Sequence, residues 1–433
     1  MTPVITTVLL LLAGFLALGV WVSFSLFAVG IGALTIFRDM PVDRVLSQSF
    51  WNSTTGTELL ALPLFILMAE ILFRTKLAEK LFAGLAPWTA SLPGGMAHVN
   101  VLGCSLFAAV SGSSAATTVT VGRITLKELL ARGYDKRLLM GSLAGAGTLG
   151  FLIPPSVIMI IYGVLAEQSI LRLFLAGLVP GIALALCYMI YIGIWSKLRA
   201  DLVPVETRVF TWRDRIAGLL ELLPVFLLIT FVLGSMYGGI ASPTEGAAIG
   251  VLGAILVSIA QRTFSPATLW EALMASVRTT SMIGLIIAGA VFLSVAMGYL
   301  GIPRFVASTV AGMDLSPLML ILMLLLIYVL LGCVLEGLSI IVMTLPITLP
   351  LIVAAGFDPI WFGVFLILVV ELAQITPPVG FNLFVIQSIT GEKLSRIAYA
   401  TVPFFLITLA FTIFIIFVPQ LALFLPENVS LRR

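Results

Sequence analysis

Histidine is almost absent from this chain: its 433 residues include one, His98. That argues against histidine-rich metal chemistry and against a histidine-based hydrolase. Cysteine is scarce too. Cys104, Cys187 and Cys333 all lie in apolar stretches, so neither a disulfide framework nor a metal site is suggested. No GxSxG, HExxH or Walker A pattern occurs, so neither a hydrolase nor an ATP-driven pump is written into the sequence. Charge is the largest deficit, at 10% where a soluble domain carries roughly a quarter. With 61% hydrophobic residues and a mean hydropathy of +1.19, the chain reads as a polytopic membrane protein surrounded by lipid. A net charge of +3, scattered over loops, gives no reason to expect a nucleic-acid partner. The uncharged start MTPVITTV and the long apolar run behind it do not resemble a cleavable signal peptide.

Proline is present where a continuous membrane helix would not tolerate it. Residues 138–165 are long enough to cross a bilayer, yet a run of glycines leads into Pro154-Pro155 near the middle. Proline removes a backbone donor and disfavours helix in the residue before it, so the span is expected to break. Residues 359–387 repeat the device at Pro377-Pro378. A single Pro-Pro is compatible with a simple kink. Two interrupted spans at matching places in two halves point to the binding site of a secondary transporter. The polar tip SGSSAATT at 111–118 splits the apolar segment 94–122, which fits a re-entrant hairpin. Residues 316–355 are interrupted by Gly332, Glu336, Gly337 and Ser339 in the same way.

The chain therefore reads as an all-α polytopic membrane protein built from two inverted repeats. Each repeat has about five transmembrane helices and one re-entrant hairpin. The first repeat is 1–195, with hairpin 94–122 and broken helix 138–165; a cytoplasmic linker, 196–217, follows. The second is 218–420, with hairpin 316–355 and broken helix 359–387; 421–433 is a tail. Residues 38–54 and 261–278 read as loops, 74–92 as an amphipathic arm, and 301–315 as its counterpart. With the first hairpin inside, 17 of the 23 basic residues fall on the inner side, which places the amino terminus outside.

At the first tip, Ser111, Gly112, Ser113 and Ser114 with Thr117 and Thr118 face the break near Thr148 and Pro154. They offer the neutral oxygens that a hard cation such as Na⁺ requires; close packing of small residues is the alternative. In the second half, Gly332, Glu336, Gly337 and Ser339 would face Gln374, Thr376 and Asn382. Glu336 and Glu371 are ionisable groups in membrane segments, suited to an ion ligand, a proton carrier or a helix-locking carboxyl. Glu245 in SPTE reads as part of a helix cap, and His98 beside Asn100 as structural.

Four blocks, LFAAVSGSSAATTVTVGRI (106–124), GTLGFLIPPSVIMIIYGVLAEQSILRLFLAGLVPG (147–181), SPTEGAA (242–248) and ITPPVGFNLFVI (375–386), carry a resemblance. They are similar to the large membrane subunit of tripartite ATP-independent periplasmic (TRAP) transporters, the DctM type, in collinear order through nearly the whole chain. The resemblance implies an ion-transporter-like elevator architecture in a bacterial or archaeal cytoplasmic (inner) membrane. It implies Na⁺ as coupling ion and a small organic anion, a carboxylate, as solute. It also implies two partners: a small four-helix membrane subunit (DctQ type) and a periplasmic substrate-binding protein (DctP type). The small subunit would be a separate chain, since four extra helices have no room here. Carried over by position, one Na⁺ site would use Ser111, Gly112, Ser113, Thr148 and Pro154. A second would use Gly332, Glu336, Ser339, Gln374, Thr376 and Gly380. The solute would meet Ser114, Thr117, Pro155, Pro378 and Asn382. Ala373-Gln374 departs from the Gly-Leu more frequent in the family, which bears on the second ligand set. A stand-alone Na⁺/carboxylate symporter and an intramembrane enzyme remain as competing readings.

Overall fold

The structure, a computed structural model, describes residues 1–199, 204, 210–312 and 316–429, and every regular element among them is helical. The first half comprises α1 (Thr2–Ala17), α2 (Val22–Phe37), α3 (Val42–Thr54), α4 (Ala61–Phe73) and α5 (Leu77–Thr89). It continues with α6 (His98–Ser111), α7 (Ser114–Ala131), α8 (Lys136–Thr148), α9 (Val157–Leu165) and α10 (Ile170–Leu198). The second half comprises α11 (Trp212–Tyr237), α12 (Pro243–Ala260), α13 (Pro266–Leu300), α14 (Ile302–Ala311) and α15 (Pro317–Gly332). It ends with α16 (Gly337–Ala354), α17 (Pro359–Gln374), α18 (Phe381–Thr390), α19 (Leu394–Phe417) and α20 (Gln420–Asn428). Residues 200–203 and 205–209 of the expected linker, 313–315 of the second arm and 430–433 of the tail lie outside the described residues.

Both Pro-Pro sequences interrupt helices as expected. The first separates α8 from α9 and the second α17 from α18, and both Pro-Pro bonds are cis. Both hairpins are present, as α6–α7 and α15–α16. Helix starts follow capping chemistry: Ser113, Ser156, Ser169, Ser265 and Ser316 each accept a backbone amide of the helix they precede. Ser242 and Glu245 form a reciprocal capping box, so Glu245 is a cap.

Other stretches correct the sequence reading. The loop expected at 38–54 contains α3, the first hairpin runs on to Ala131, and α13 begins at Pro266 within the loop expected at 261–278. The tail expected at 421–433 begins as α20. These segments are amphipathic or polar, and packing holds them in helical form. Val42, Val45 and Leu46 lean on the core, Leu126 and Leu129 are buried, and α20 packs along α10. Among the described residues six helices are long and apolar enough to cross a membrane, or seven if α3 and α4, bent by 50°, count as one span. The expected ten spans also counted α1 and α2, of 16 residues each, and the two interrupted segments. Sixteen residues reach only about 24 Å, short of the ~30 Å hydrocarbon core.

The two sequence halves do not form separate bodies. Helices α1–α4 and α11–α13 pack mainly on one another, and α6–α10 with α15–α20 form a second group. Helix α5 lies between α11 and α6, and α14 between α13 and α16. Long-range polar links tie each group internally. In the first, to which α5 is joined through α11, Lys80 Nζ of α5 meets Glu221 at 2.8 Å and the Ser276 hydroxyl donates to Pro63 O at 3.2 Å. In the second, Asn100 Nδ2 donates to Ser142 Oγ at 2.9 Å and Lys136 Nζ meets Glu392 at 2.7 Å. His98 is buried with its Nε2 at 2.8 Å from Pro93 O, a structural role.

Glycine permits the closest approach in the second group. A Cβ on Gly141 would run into the backbone carbonyl of Ala400 and stand 3.0 Å from Phe404 Cε2. Gly141→Ala is expected to cost about 1–3 kcal/mol by forcing α8 from α19. Gly14→Ala, with no atom within 4 Å of the new Cβ, should cost nothing. Thermal melting of the purified protein reads both, and an unchanged melting point for Gly141→Ala would refute the packing argument.

Glu392, in the loop before α19, has its carboxyl held below the usual 4.5 by the Lys136 hydrogen bond, with Arg396 adding to it. A lowered folded-state value stabilises above 4.5, and that stabilisation is lost as pH falls below it. The melting-point difference between wild type and Lys136→Met should therefore be constant at neutral pH and shrink in acid. A difference that grows in acid would contradict the assignment.

Candidate solute and ion site

At the first tip, α6 ends because Gly112 adopts a left-handed conformation (φ +60°), and Ser113 then caps α7. The tip sits directly on the first break. Gly112 O accepts from Val157 N at 3.3 Å, and a Cβ on Gly112 would lie 2.7 Å from Pro155 O. Gly150, inside the break, packs against Ser113 just as closely. The Ser111 and Thr117 hydroxyls are 2.8 Å apart, and Ser111 Oγ lies 3.5 Å from Ser113 O. Neutral hydroxyl and carbonyl oxygens thus converge at the tip, a donor set that fits a monovalent cation. Pro154 is buried behind them. Thr148 closes α8 at the break, its hydroxyl donating to Gly145 O at 2.8 Å.

The second hairpin meets the second break in the same manner. Gly332 packs on Ala373, and a Cβ on Gly337 would come within 3.2 Å of Gln374 Nε2. The carbonyls of Gln374 and Thr376 converge beside Gly380, 3.1 and 3.0 Å from where its Cβ would be. Ser339 is buried near the start of α16. The Thr376 hydroxyl donates to Leu372 O at 2.6 Å. Ala373, the departure from the family pattern, is therefore the residue on which Gly332 rests.

Between the tips lies a cavity of about 300 Å³. Ser111, Gly112, Ser113, Glu336 and Gln374 line it, with Glu70 and Thr279 on the opposite wall. The first turns of four helices also border it: Ala115 and Ala116 of α7, Val157 and Ile158 of α9, Leu338 of α16 and Phe381 of α18. Neither α16 nor α18 has a side-chain cap. No lysine or arginine is among the lining residues. Glu336 is exposed and lines the cavity. Glu70 is paired with Arg74 at 2.6 Å. As an acid in the apolar run 61–73 it carries the same signal as Glu336, one that the sequence reading passes over. A larger groove of about 560 Å³ runs between α11 and α12, but its walls are almost wholly aliphatic and hold no convergent polar set.

The residues assigned to the solute by position are arranged differently. None of Ser114, Thr117, Pro155, Pro378 and Asn382 is on the cavity wall. Ser114 and Asn382 are fully buried and bonded to each other, Asn382 Nδ2 donating to Ser114 Oγ at 3.0 Å and to Ala144 O at 3.4 Å. Thr117 is bonded to Ser111, Pro155 packs under the tip, and Pro378 is exposed elsewhere. These side chains anchor the first tip to α8 and α18 from behind. Glu371 is deeper still, fully buried in α17, whose residues from Ile360 to Gln374 are all buried. Thr148 and Tyr188 are its polar neighbours.

The chain matches the family described as "Tripartite ATP-independent periplasmic transporter, DctM component" over residues 9–421. It is 35% identical over 398 residues to the C4-dicarboxylate TRAP transporter large permease protein DctM of Pseudomonas aeruginosa, covering 92% of each chain. It is 29% identical over 411 residues to the isethionate TRAP transporter permease protein DctMQ of Oleidesulfovibrio alaskensis, covering 95% of this chain and 64% of that one. Among solved structures, the YdaH transporter of Alcanivorax borkumensis aligns with a TM-score of 0.60 at 13% identity, covering 90% and 89% of the two chains, a likeness of fold. A nearly full-length match to one family, on a chain of membrane-crossing helices, places it: the protein belongs to the DctM family, the large permease subunits of TRAP transporters.

Proposed function

We propose that this permease subunit takes up a small organic anion in symport with Na⁺, working as an elevator in the bacterial or archaeal inner membrane. One observation carries the reading: two hairpin tips and two helix breaks enclose a 300 Å³ cavity bordered by four helix amino termini. Backbone amides and the positive ends of helix dipoles stabilise an anion where no basic side chain stands. The relatives named for C4-dicarboxylate and isethionate point to the same class of solute. Na⁺ would be held by Ser111, Gly112 and Ser113 at the first tip, and by Gly332, Ser339, Gln374, Thr376 and Gly380 at the second break. It supplies the downhill gradient; the chain's own part is to offer neutral oxygens and exclude water. Elevator motion is supported by the two packing groups, since the cavity has one wall on α4 and α13 and the other on the hairpins and breaks.

The two inverted repeats and an amino terminus outside belong to the same reading, as do a separate DctQ-type small subunit and a DctP-type binding protein that hands over the solute.

Proteoliposomes holding this chain and its small subunit test the proposal, with solute uptake measured with and without an inward Na⁺ gradient and the binding protein. Uptake should need both. Ser111→Ala and Thr376→Val should each raise the half-saturating Na⁺ concentration about tenfold, the loss of one ligand worth ~1.4 kcal/mol. Uptake with the gradient alone would replace the tripartite reading by a stand-alone symporter. Uptake indifferent to Na⁺ would remove the coupling ion.

A further inference from the structure

Glu371 has no place in either of the Na⁺ sites at the hairpin tips, yet it is the most deeply enclosed carboxyl in the site region. Its side chain is fully buried, and neither carboxyl oxygen has a hydrogen-bond partner. A bare carboxylate in that position is strongly disfavoured, so either a proton or a cation must accompany it. None of the ion pairs formed among the described residues supplies one.

The surrounding groups are oxygens. The Thr148 hydroxyl stands beside Glu371 from the last turn of α8, its proton directed to Gly145 O. Tyr188 approaches from α10, its hydroxyl sharing a 2.6 Å hydrogen bond with Thr408 of α19. Two helices end here: α8 at Thr148 and α17 at Gln374, three residues past Glu371. Helix carboxyl ends carry partial negative charge, which favours a cation and disfavours an anion. Among the described residues no three acidic, histidine or cysteine side chains gather as a divalent metal would want. One carboxylate with hydroxyl co-ligands matches a single positive charge.

We propose that Glu371, with the hydroxyls of Thr148 and Tyr188, forms a further Na⁺ site, buried behind the first break and distinct from the sites at the hairpin tips. Thr148, assigned by position to the first tip, belongs to this site. The inference rests on reading the chain as Na⁺-coupled. It gives the permease one charge-compensated ion whose binding locks α8, α10 and α17 together on the side of the break away from the solute. Solute has no direct contact with it.

The test is equilibrium binding of radioactive Na⁺ to the chain purified with its small subunit, with no solute present. Glu371→Gln keeps the side chain's shape and removes its charge, and it should bind one Na⁺ fewer per chain than wild type. Melting of the variant in Na⁺-free choline buffer checks its folding. If Glu371→Gln does not fold, Tyr188→Phe, which keeps the ring packed, takes its place; its half-saturating Na⁺ concentration should rise several-fold. An unchanged Na⁺ count in a folded Glu371→Gln protein, or unchanged affinity in Tyr188→Phe, overturns the proposal. Wild-type protein that binds no Na⁺ at all overturns the coupling reading as well. Wild-type binding with a full count in the variant overturns this site alone.

Discussion

A helix broken inside an apolar interior leaves backbone amides and carbonyls that water cannot reach, and each must find a partner within the protein. In this permease the partners are hairpin tips. The amide of Val157, first in α9, is satisfied by the carbonyl of Gly112 at the turn of the first hairpin. That bond requires the two backbones to touch. Gly112 and Gly150 are therefore glycine for a steric reason: a Cβ on either would stand within 3 Å of the facing backbone. The second hairpin obeys the same constraint through Gly332 on Ala373 and Gly337 against Gln374. The first tip and first break thus complete one another's hydrogen bonding, and the second pair meet by close packing.

Breaking a helix also creates two ends of opposite polarity. The first halves, α8 and α17, finish with their carboxyl ends at the breaks, and the second halves, α9 and α18, start there with their amino ends. Amino ends border the cavity, joined by those of α7 and α16 from the hairpins. The carboxyl ends carry Thr148 on α8 and Glu371 and Gln374 on α17. Helix ends of opposite polarity therefore lie close together by backbone direction alone, with no basic residue among those lining the cavity. Ser114 and Asn382 then tie α7 to α18, and Asn382 also bonds α8.

What is legible in the sequence follows from the same physics. Pro154-Pro155, Pro377-Pro378 and the SGSS tip are local violations of membrane-helix composition, so they can be read directly, and the structure places them at breaks and turns. Helix α3 escapes a reading guided by hydropathy because its signal is one of period. Val42, Val45 and Leu46 recur at helical spacing in an otherwise polar segment and lean on the core where α3 packs on α13. The start of α13 and the end of α7 are hidden by Arg278 and by Arg123 and Lys127, charges that a helix carries without difficulty beyond the hydrocarbon. At the site, residue types are legible and pairings are not. Nothing in the spacing announces that Asn382 bonds Ser114, 268 positions away. Nor does anything say that Glu336 opens into a cavity while Glu371 is sealed. Exposure of two acids in similar apolar runs is decided by which helices pack on them.

The interleaving of the halves has a mechanical consequence, because polar side-chain links of long range stay within one packing group. Ser114–Asn382, Asn100–Ser142, Tyr188–Thr408 and Lys136–Glu392 bind hairpin, breaks and α19 into a unit, while Lys80–Glu221 and Ser276–Pro63 bind the other group. Apolar pairs meet across the boundary, such as Phe73 stacked on Phe107 with centroids 5.5 Å apart and Phe65 edge-on to Phe174 at 6.2 Å. Apolar surfaces can slide with little change in free energy because each ring or aliphatic chain that moves off one neighbour comes to rest on a similar one. A bond such as Ser114–Asn382 cannot be stretched without leaving a buried donor unpaired. The cavity has its polar wall on one group and Glu70, Phe73 and Thr279 on the other, so sliding would renew one wall and carry the other intact. Bonds that resist stretching within each group and replaceable contacts between them arise from the order in which two halves of one chain are folded together, and the proposed elevator motion would draw on that difference.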